Sequence, residues 1–113
     1  MIKRIEKPEV LDYIKFGEFF ELHDDNGRYA YFALEFNPVP NTANIHMEVS
    51  RFSHNVLKTM REDFMPGLRE LCRERNIKKV IARKQGTDSR FPKLVKFLGF
   101  SEPINIKMSY LDV

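Results

Sequence analysis

The chain is poor in cysteine and in long apolar runs, and each shortage excludes a class of protein. Its single cysteine, Cys72, excludes an internal disulfide and a cysteine-based zinc cluster. The longest apolar runs are only a few residues long, which excludes a membrane-spanning helix. The segment Met1–Lys7 lacks the apolar core of a signal peptide, so we expect a cytoplasmic protein. The histidines, His23, His46 and His54, do not have metal-ligand spacing.

The residues that are present suit one globular domain. The 113 residues include 42% apolar side chains, with ten Phe and four Tyr, which is enough for one hydrophobic core. Nineteen basic against sixteen acidic residues leave a net charge of +3, well below that of a dedicated nucleic-acid-binding arm. No internal repeat, linker or low-complexity tract is visible. We therefore expect residues 1–113 to form a single domain.

The first third of the chain predicts a strand, a short helix and a β-hairpin. Met1–Ile5 is a candidate strand. Apolar residues at helical spacing predict a helix over Pro8–Phe16, which begins with a proline in its first turn and ends at Gly17. Asp24-Asp25-Asn26-Gly27 lies between two aromatic-rich runs and predicts a hairpin turn, with the second strand over Arg28–Phe36.

An alternating strand and a long amphipathic helix come next. Ala43–Val49 alternates as a half-buried strand does. Its two faces carry Ile45, Met47 and Val49 on one side, and Asn44, His46 and Glu48 on the other. The apolar stripe that follows passes Pro66 without changing phase, so we predict one helix over Ser53–Arg75, capped by its first residue and kinked near Pro66. Two helices that break at Asp63–Met65 are the alternative, and Asn76 suits a left-handed helix end.

The last third of the chain predicts a strand, a helix and a strand. Lys79–Ala82 is a short strand, and Asp88 can cap a helix over Ser89–Leu98 that Gly99 ends. Ile104–Tyr110 alternates again and predicts the last strand. The complete order, β-α-β-β-β-α-β-α-β, is that of an α+β protein with a mixed sheet.

In this order of elements the chain resembles the GNAT N-acetyltransferase superfamily over nearly its whole length. The likeness is greatest over Ala43–Pro103, where a helix ends in Lys96-Phe97-Leu98-Gly99-Phe100 before the last strand, as the family's helix ends in Gly-Phe. The Asp-Asp-Asn-Gly hairpin also looks like the family's second and third strands. The resemblance implies a GNAT-like, mostly antiparallel mixed sheet flanked by helices. It also implies acetyl transfer from acetyl-CoA to an amine.

Three features depart from the family pattern. The family holds the pyrophosphate of acetyl-CoA on a glycine-containing turn at a helix N-terminus, whereas the corresponding residues, His54–Thr59 when counted from the strand end at Val49, contain no glycine. The family's tyrosine, which protonates the leaving thiolate, is replaced by Val95, with Tyr31 and Tyr110 as conceivable substitutes. One short helix precedes the hairpin where the family has two, which implies a small or open acceptor site, or none.

The candidate catalytic residues lie on the strand Ala43–Val49. Glu48 is the candidate general base, because an ammonium group must lose a proton before it attacks and because the resemblance places a glutamate on this strand. A solvent-facing strand residue is the alternative for Glu48. His46 shares that face and can form an acid–base pair with Glu48 or be a lone exposed histidine. Cys72 lies on the apolar stripe of the long helix and is expected to be a core residue.

The candidate acetyl-CoA-binding residues follow the same strand. The resemblance implies that backbone groups of Val49–Arg51 bind the acetyl carbonyl and the pantetheine arm. Lys58, Thr59 and Arg61 fall in or beside the altered turn, where the two cations can contact phosphate as point charges. The alternative is that Lys58 and Arg61 are solvated helix residues.

Three hypotheses of function follow. The first is an acetyl-CoA-dependent N-acetyltransferase, which the strand of Glu48 favours. The second is a catalytically inactive GNAT-fold binding or assembly protein, of a size that suits a phage or mobile-element product, which the missing glycines and Val95 favour. The third is a nucleic-acid-binding module that uses the basic residues 73–84, whose charges need not share a face. Expected partners are an amine acceptor or another protein. Neither a membrane nor a nucleic acid is expected as a partner. The aromatic content allows a homodimer.

Overall fold

The structure is a computed structural model that describes residues 1–83, 94, 96–100 and 108–113. The described residues form one six-stranded sheet whose strands lie side by side in chain order. The strands are β1 (Ile2–Ile5), β2 (Gly17–Asp24), β3 (Gly27–Phe36), β4 (Thr42–Val49), β5 (Lys79–Arg83) and β6 (Met108–Asp112). β4 and β5 pair in parallel, and the other described neighbours pair antiparallel. This confirms the predicted α+β class and the mixed, mostly antiparallel sheet.

One long helical stretch joins β4 to β5, and the residues predicted at its two ends are confirmed. Ser53 Oγ accepts a hydrogen bond from the Val56 N–H at 3.1 Å, which satisfies one of the unpaired donors of the first turn. At the other end Asn76 has a φ of 56°, in the left-handed region. The Ile77 N–H then donates to the Cys72 carbonyl at 2.8 Å, the hydrogen bond of a Schellman helix end.

The long helix changes its winding just before Pro66. It consists of α1 (His54–Thr59), a π-helical turn (Met60–Phe64) and α2 (Met65–Glu74). The Met65 N–H donates to the Met60 carbonyl, five residues back instead of four. Pro66, which has no N–H to donate, comes directly after this wider turn. The predicted irregularity is therefore a π turn, and because the helix is continuous, the alternative of two helices that break at Asp63–Met65 is wrong.

The predicted helix over Pro8–Phe16 is also wrong. This segment contains a 3₁₀ helix, Glu9–Leu11, and the Ile14 N–H donates to the Leu11 carbonyl, three residues back, at 3.1 Å. A three-residue turn places Leu11 and Ile14 on the same side, and both are fully buried against the sheet. Gly17, predicted as the helix end, is instead the first residue of β2.

The hairpin between β2 and β3 turns where the sequence predicts it. The Asn26 N–H donates to Asp24 Oδ1 at 2.8 Å, and Gly27 has a φ of 104°, which a residue with a Cβ rarely adopts. A guanidinium N–H of Arg51, just after β4, donates to Asp24 Oδ1 at 2.7 Å and to the Gly27 carbonyl at 3.2 Å. The tip of the hairpin is thus tied to the connection that follows β4.

The two faces of the sheet carry different apolar clusters. The main core lies between the sheet and the long helix, where the rings of Phe20 and Phe32 stack at 4.6 Å and Phe32 meets Phe64 edge to face at 4.9 Å. A smaller cluster on the opposite face, called the outer face below, contains Phe19 and Ala33 and is covered by the 3₁₀ segment. The outer face of β4 carries His46 and Glu48, the two candidate catalytic residues.

The final elements agree with the sequence as far as they are described. β5 and β6 confirm a strand at Lys79–Ala82 and another near the end of the chain. Gly99 has a φ of 91°, as a helix end requires, and Phe100 is buried. The cap Asp88 and most of the helix Ser89–Leu98 lie outside the described residues, as do positions 104–107, the first part of the predicted last strand. None of the helices described is long and apolar enough to cross a membrane.

Two glycines provide a matched test of this packing. A Cβ on Gly17 would clash with the backbone oxygen of Leu34, whereas a Cβ on Gly67 of α2 would clash only with the side chain of Ile2. We expect Gly17→Ala to lower the free energy of unfolding by about 1–3 kcal/mol, because a backbone atom must move. Gly67→Ala should cost less, since Ile2 can rotate and alanine favours a helix by about 1 kcal/mol. Urea unfolding measures both, and an equal loss in the two variants would contradict this packing.

Cys72 provides a test of the main core. The side chain is fully buried, and burial raises the pKa of the Cys72 thiol to about 11. We expect a disulfide reagent at pH 8 to leave the folded protein unmodified and to modify one thiol per chain in guanidinium chloride. Rapid modification of the folded protein would contradict the core position of Cys72.

Candidate active site

The outer face of β3 and β4 carries a hydrogen-bonded group of polar side chains. The antiparallel register places Glu35 of β3 opposite Asn44 of β4 and beside His46. His46 is only 7% exposed, and its Nε2 lies 3.0 Å from Glu35 Oε1. Asn44 Nδ2 donates to the same carboxylate oxygen at 3.0 Å. A buried imidazole is therefore held against a carboxylate that is itself fixed by a second donor.

The imidazole has its second partner in the 3₁₀ segment. The hydroxyl of Tyr13 lies 3.5 Å from His46 Nδ1, and the two rings meet edge to face with centroids 5.6 Å apart. Because a carboxylate only accepts hydrogen bonds, neutral His46 carries its proton on Nε2, facing Glu35. His46 Nδ1 then accepts a hydrogen bond from the Tyr13 hydroxyl.

Glu48 lies on the same face of β4, two residues beyond His46. It is exposed, and its carboxylate has no hydrogen bond or ion pair with any other residue that the structure describes. Burial raises the pKa of the Tyr13 phenol, and the negative charges of Glu48 and Glu35 raise that pKa further. The Tyr13 hydroxyl is thus close enough to both carboxylates to interact with them electrostatically.

The structure changes the predicted role of His46. The hydrogen-bond partners of His46 in the described structure are Glu35 and Tyr13, and Glu48 is not among them. The alternative prediction, a lone exposed histidine, is wrong because the side chain is buried. Glu48 has the exposure that either prediction for it requires.

The parallel pairing of β4 with β5 ends halfway along β4. The pairs run from Thr42 with Lys79 to Ile45 with Ala82, and β4 then continues alone on that side to Val49. On its other side β4 pairs with β3 along its length. Among the described strands, the second half of β4 therefore has one unpaired edge.

Hydrogen bonds at the two ends of β4 identify the backbone groups on that unpaired edge. The Ser50 N–H donates to a carbonyl of β3 at 2.8 Å, and the Asn41 carbonyl accepts from the Lys79 N–H of β5 at 3.2 Å. Since backbone groups alternate between the two edges of a strand, odd-numbered residues face β5. The N–H and C=O groups of Met47 and Val49 therefore lie on the unpaired edge. Val49 was predicted to offer backbone groups here, and Met47 adds a second set.

Two residues predicted to bind the cosubstrate, Arg51 through its backbone and Thr59, have side chains with partners within the protein. Arg51 is bound to Asp24 and the hairpin tip, and this contact holds the pKa of the Asp24 carboxyl below its usual range. The hydroxyl of Thr59 donates to the Asn55 carbonyl within α1 at 3.0 Å. Neither side chain is directed to the unpaired edge of β4 by these contacts.

The other two predicted cations lie apart on the long helix. Lys58 is exposed on α1. Arg61 lies over the ring of Phe97, 5.5 Å from its centroid, beside a groove of about 420 Å³ that Arg69 and Arg73 also line. The structure therefore does not bring Lys58 and Arg61 together with Arg51.

The residues that correspond to the family's pyrophosphate turn, His54–Thr59, form α1, as the predicted helix over Ser53–Arg75 requires. The connection from β4 to the helix is the short segment Ser50–Ser53, which contains no glycine. The Ser53 hydroxyl accepts a hydrogen bond from the Val56 N–H of the first helical turn, so this N–H is already paired. This helix start thus lacks the close backbone approach that a glycine turn allows.

Of the basic residues 73–84, the structure describes the side chains as far as Lys79, and Arg75 and Lys79 among them are held in ion pairs within the protein. Arg75 donates to Glu18 of β2, which raises the pKa of the Arg75 guanidinium. Lys79 Nζ lies 3.7 Å from Asp112 Oδ1 of β6, and β6 lies toward the opposite edge of the sheet from β2. These contacts give no support to a nucleic-acid-binding face at this stretch.

Tyr13 and Glu35 were not predicted from the sequence as site residues. Glu35 was detectable as the acidic residue of a mostly apolar strand, whereas Tyr13 lies in a segment that was predicted as a helix. Of the conceivable acid residues, Tyr31 is bonded to Arg28, and Val95 and the side chain of Tyr110 lie outside the description. The part of the chain that the structure describes contains no group of three or more His, Cys, Asp or Glu side chains that could hold a metal ion.

Comparison with known proteins finds the fold and no sequence relative. No family model matches the chain, and a search of curated proteins finds no match. An IAA acetyltransferase from Bacillus cereus is similar in structure with a TM-score of 0.70 and 13% identity, over 100% of this chain and 99% of that one. An acetyltransferase from Bacillus subtilis, solved in complex with CoA, has a TM-score of 0.69 and 14% identity, over 99% and 97% of the two chains.

A longer relative in structure shows the same likeness over part of its length. The ribosomal-protein-S5-alanine acetyltransferase from Vibrio fischeri has a TM-score of 0.63 and 11% identity, over 86% of this chain. This chain spans 62% of the length of the Vibrio protein. At these identities the likeness concerns the fold, and it confirms that the chain has the fold of the GNAT acetyltransferases.

Proposed function

We propose that this protein is an acetyl-CoA-dependent N-acetyltransferase that transfers an acetyl group to an amine. The observation that carries the proposal is the unpaired edge of β4, where backbone groups of Met47 and Val49 flank the exposed Glu48. The edge can bind an acyl thioester while groups on the adjoining face accept a proton. The GNAT fold and the CoA bound to the Bacillus subtilis acetyltransferase support this choice of cosubstrate.

The chain fits the acyl half of acetyl-CoA better than the phosphate half. The N–H and C=O groups of Met47 and Val49 can hydrogen-bond the thioester carbonyl and the pantetheine amides whatever the side chains are. The glycine-free segment Ser50–Ser53 offers no comparable cradle for pyrophosphate. Lys58, exposed on α1, is left to attract the phosphates as a point charge, so binding should be weak and sensitive to salt.

The chemistry requires a group that takes a proton from the acceptor. An ammonium group has no lone pair with which to attack a thioester, so it must first lose a proton to a base. Glu48 and His46 are the two candidate acceptors of that proton, both on the outer face of β4. The neutral amine then attacks the carbonyl carbon, the C–N bond forms as the C–S bond breaks, and the thiolate takes a proton.

The first test is binding of acetyl-CoA, measured by calorimetry at low salt. We expect binding to wild type and roughly three- to tenfold weaker binding to Lys58→Ala, because one charge–phosphate contact is lost. Lys78→Ala is the matched control, since Lys78 is an exposed lysine beyond the far end of the helix. The Lys58 effect should shrink as salt is added.

Each result of this titration separates the hypotheses. No heat at high micromolar ligand would overturn the proposed function. Binding without turnover of any amine in an acceptor screen would favour the inactive binding or assembly protein. An equal effect of Lys58→Ala and Lys78→Ala would remove Lys58 from the site without affecting the main proposal.

The second test concerns Glu48. We expect Glu48→Gln to lower kcat/KM for an alkylamine by roughly tenfold or more, because the variant loses the exposed carboxylate beside the reacting edge. Glu62→Gln, which removes an exposed carboxylate from the long helix, is the control for the change in net charge. An assay of free thiol release measures both variants. Unchanged kcat/KM in Glu48→Gln would show that Glu48 takes no part.

A further inference from the structure

We infer that Tyr13, His46 and Glu35 form a proton relay, in which the Tyr13 hydroxyl contacts the acceptor and passes its proton inward. This assigns the proposed N-acetyltransferase, on which the inference rests, an acceptor class: an alkylamine that arrives as an ammonium ion. In this inference His46 is the base that receives the proton, and Glu48 attracts the ammonium ion by its negative charge.

The geometry supplies a continuous path from the surface to the interior. Tyr13 is 49% exposed, so its hydroxyl can meet an acceptor, while the imidazole behind it is 7% exposed. The phenol oxygen lies 3.5 Å from His46 Nδ1, and His46 Nε2 lies 3.0 Å from Glu35 Oε1. The first distance is at the long limit for a hydrogen bond, as catalytic contacts often are before substrate binds.

The surroundings favour a cation at the outer end of this path. Two carboxylates, those of Glu35 and Glu48, lie near Tyr13 and His46 among the described residues. Both carboxylates act on the Tyr13 phenol through their negative charge, so an ammonium group beside that phenol would be stabilised. A phenol face also binds alkylammonium ions.

The relay works without an ionised tyrosine. One ammonium proton moves to the Tyr13 oxygen as the Tyr13 proton moves to His46 Nδ1, and an imidazolium ion forms. Glu35 stabilises that cation through the Nε2–H. The neutral amine attacks the thioester carbon, C–N forms, C–S breaks, and the second nitrogen proton neutralises the thiolate. The imidazolium then returns its proton to Tyr13, which releases one proton to solvent.

Glu35 acts through His46 and is therefore a positioning residue. Its carboxylate selects the neutral tautomer with the proton on Nε2 and is held in turn by Asn44. Glu35→Gln retains size but can turn its amide N–H₂ toward the ring and favour the other tautomer. Glu35→Asp keeps the charge and should restore part of the activity.

The test compares two acceptors of nearly equal size: ethylamine, which is an ammonium ion at pH 7, and 2,2,2-trifluoroethylamine, which is mostly neutral. We expect Tyr13→Phe and His46→Gln to lower kcat for ethylamine by roughly 100-fold, the usual scale of proton-transfer catalysis. The loss for the fluorinated amine should be less than about threefold, since that amine needs no deprotonation before attack. Glu48→Gln should mainly raise KM for ethylamine.

A second measurement does not depend on turnover. Nitrogen NMR of the imidazole in wild type should show the Nε2–H tautomer, and Tyr13→Phe should shift only the Nδ1 resonance. Circular dichroism confirms that each variant folds. The loss of kcat for ethylamine in His46→Gln should also shrink as the pH rises and the amine deprotonates in solution.

The outcomes are distinguishable. Wild type that binds no acetyl-CoA and acetylates neither amine overturns the proposed function and the relay with it. Active wild type with equal losses for both amines in Tyr13→Phe, or with unchanged kcat in His46→Gln, overturns the relay alone. A fall in kcat for Glu48→Gln as large as that for His46→Gln would make Glu48 the base and also overturn it.

Discussion

The structure depends on where the parallel pairing of β4 and β5 begins and ends. Asn41 and Asn76 both adopt the left-handed conformation, and the Asn76 side chain donates to that of Asn41 at 3.2 Å. The Asn41 carbonyl also accepts from Lys78 at 2.8 Å. These contacts bring the end of the long helix to the start of β4, so pairing is anchored there. It ends at Ile45, so the second half of β4 has an edge that none of the described strands pairs with.

The short 3₁₀ segment matters as much as the strand edge. Leu11 and Ile14 anchor it to the outer face, and Tyr13 between them reaches His46. A regular α-helix in this segment would point Leu11, Tyr13 and Ile14 in directions around its axis that differ from those observed. The single short segment before the hairpin, in place of the family's two helices, therefore also places the Tyr13 phenol against the His46 imidazole.

Local chemistry explains which parts of the fold were predictable. The hairpin at Gly27, the cap at Ser53 and the helix end at Asn76 each depend on one residue with a strong conformational preference, and all three are confirmed. The fold class followed from the order of elements. The segment Pro8–Phe16 was mispredicted because a few apolar residues at spacing three to four suit both an α-helix and a 3₁₀ turn.

The candidate site was only partly predictable, for a different physical reason. Glu48 and His46 were found because they alternate along one strand. The contact of His46 with Glu35 requires the register of β3 against β4, and that with Tyr13 spans 33 positions of the chain. No local preference encodes either contact. The absence of glycine after β4 was visible, but only the structure shows that α1 begins there.

The π-helical turn also decides which way the long helix faces. The fully buried residues of the helix recur at intervals of four: Val56, Met60, Phe64, Leu68 and Cys72. In a regular α-helix four residues overshoot one turn by about 40°, so four such intervals would rotate the stripe by roughly 160°. The wider turn winds the stripe back, and all five side chains reach the same core. An unbroken four-residue apolar repeat that reaches a proline thus indicates a π-helical turn. The turn contains one extra residue, which keeps a single face of the helix buried.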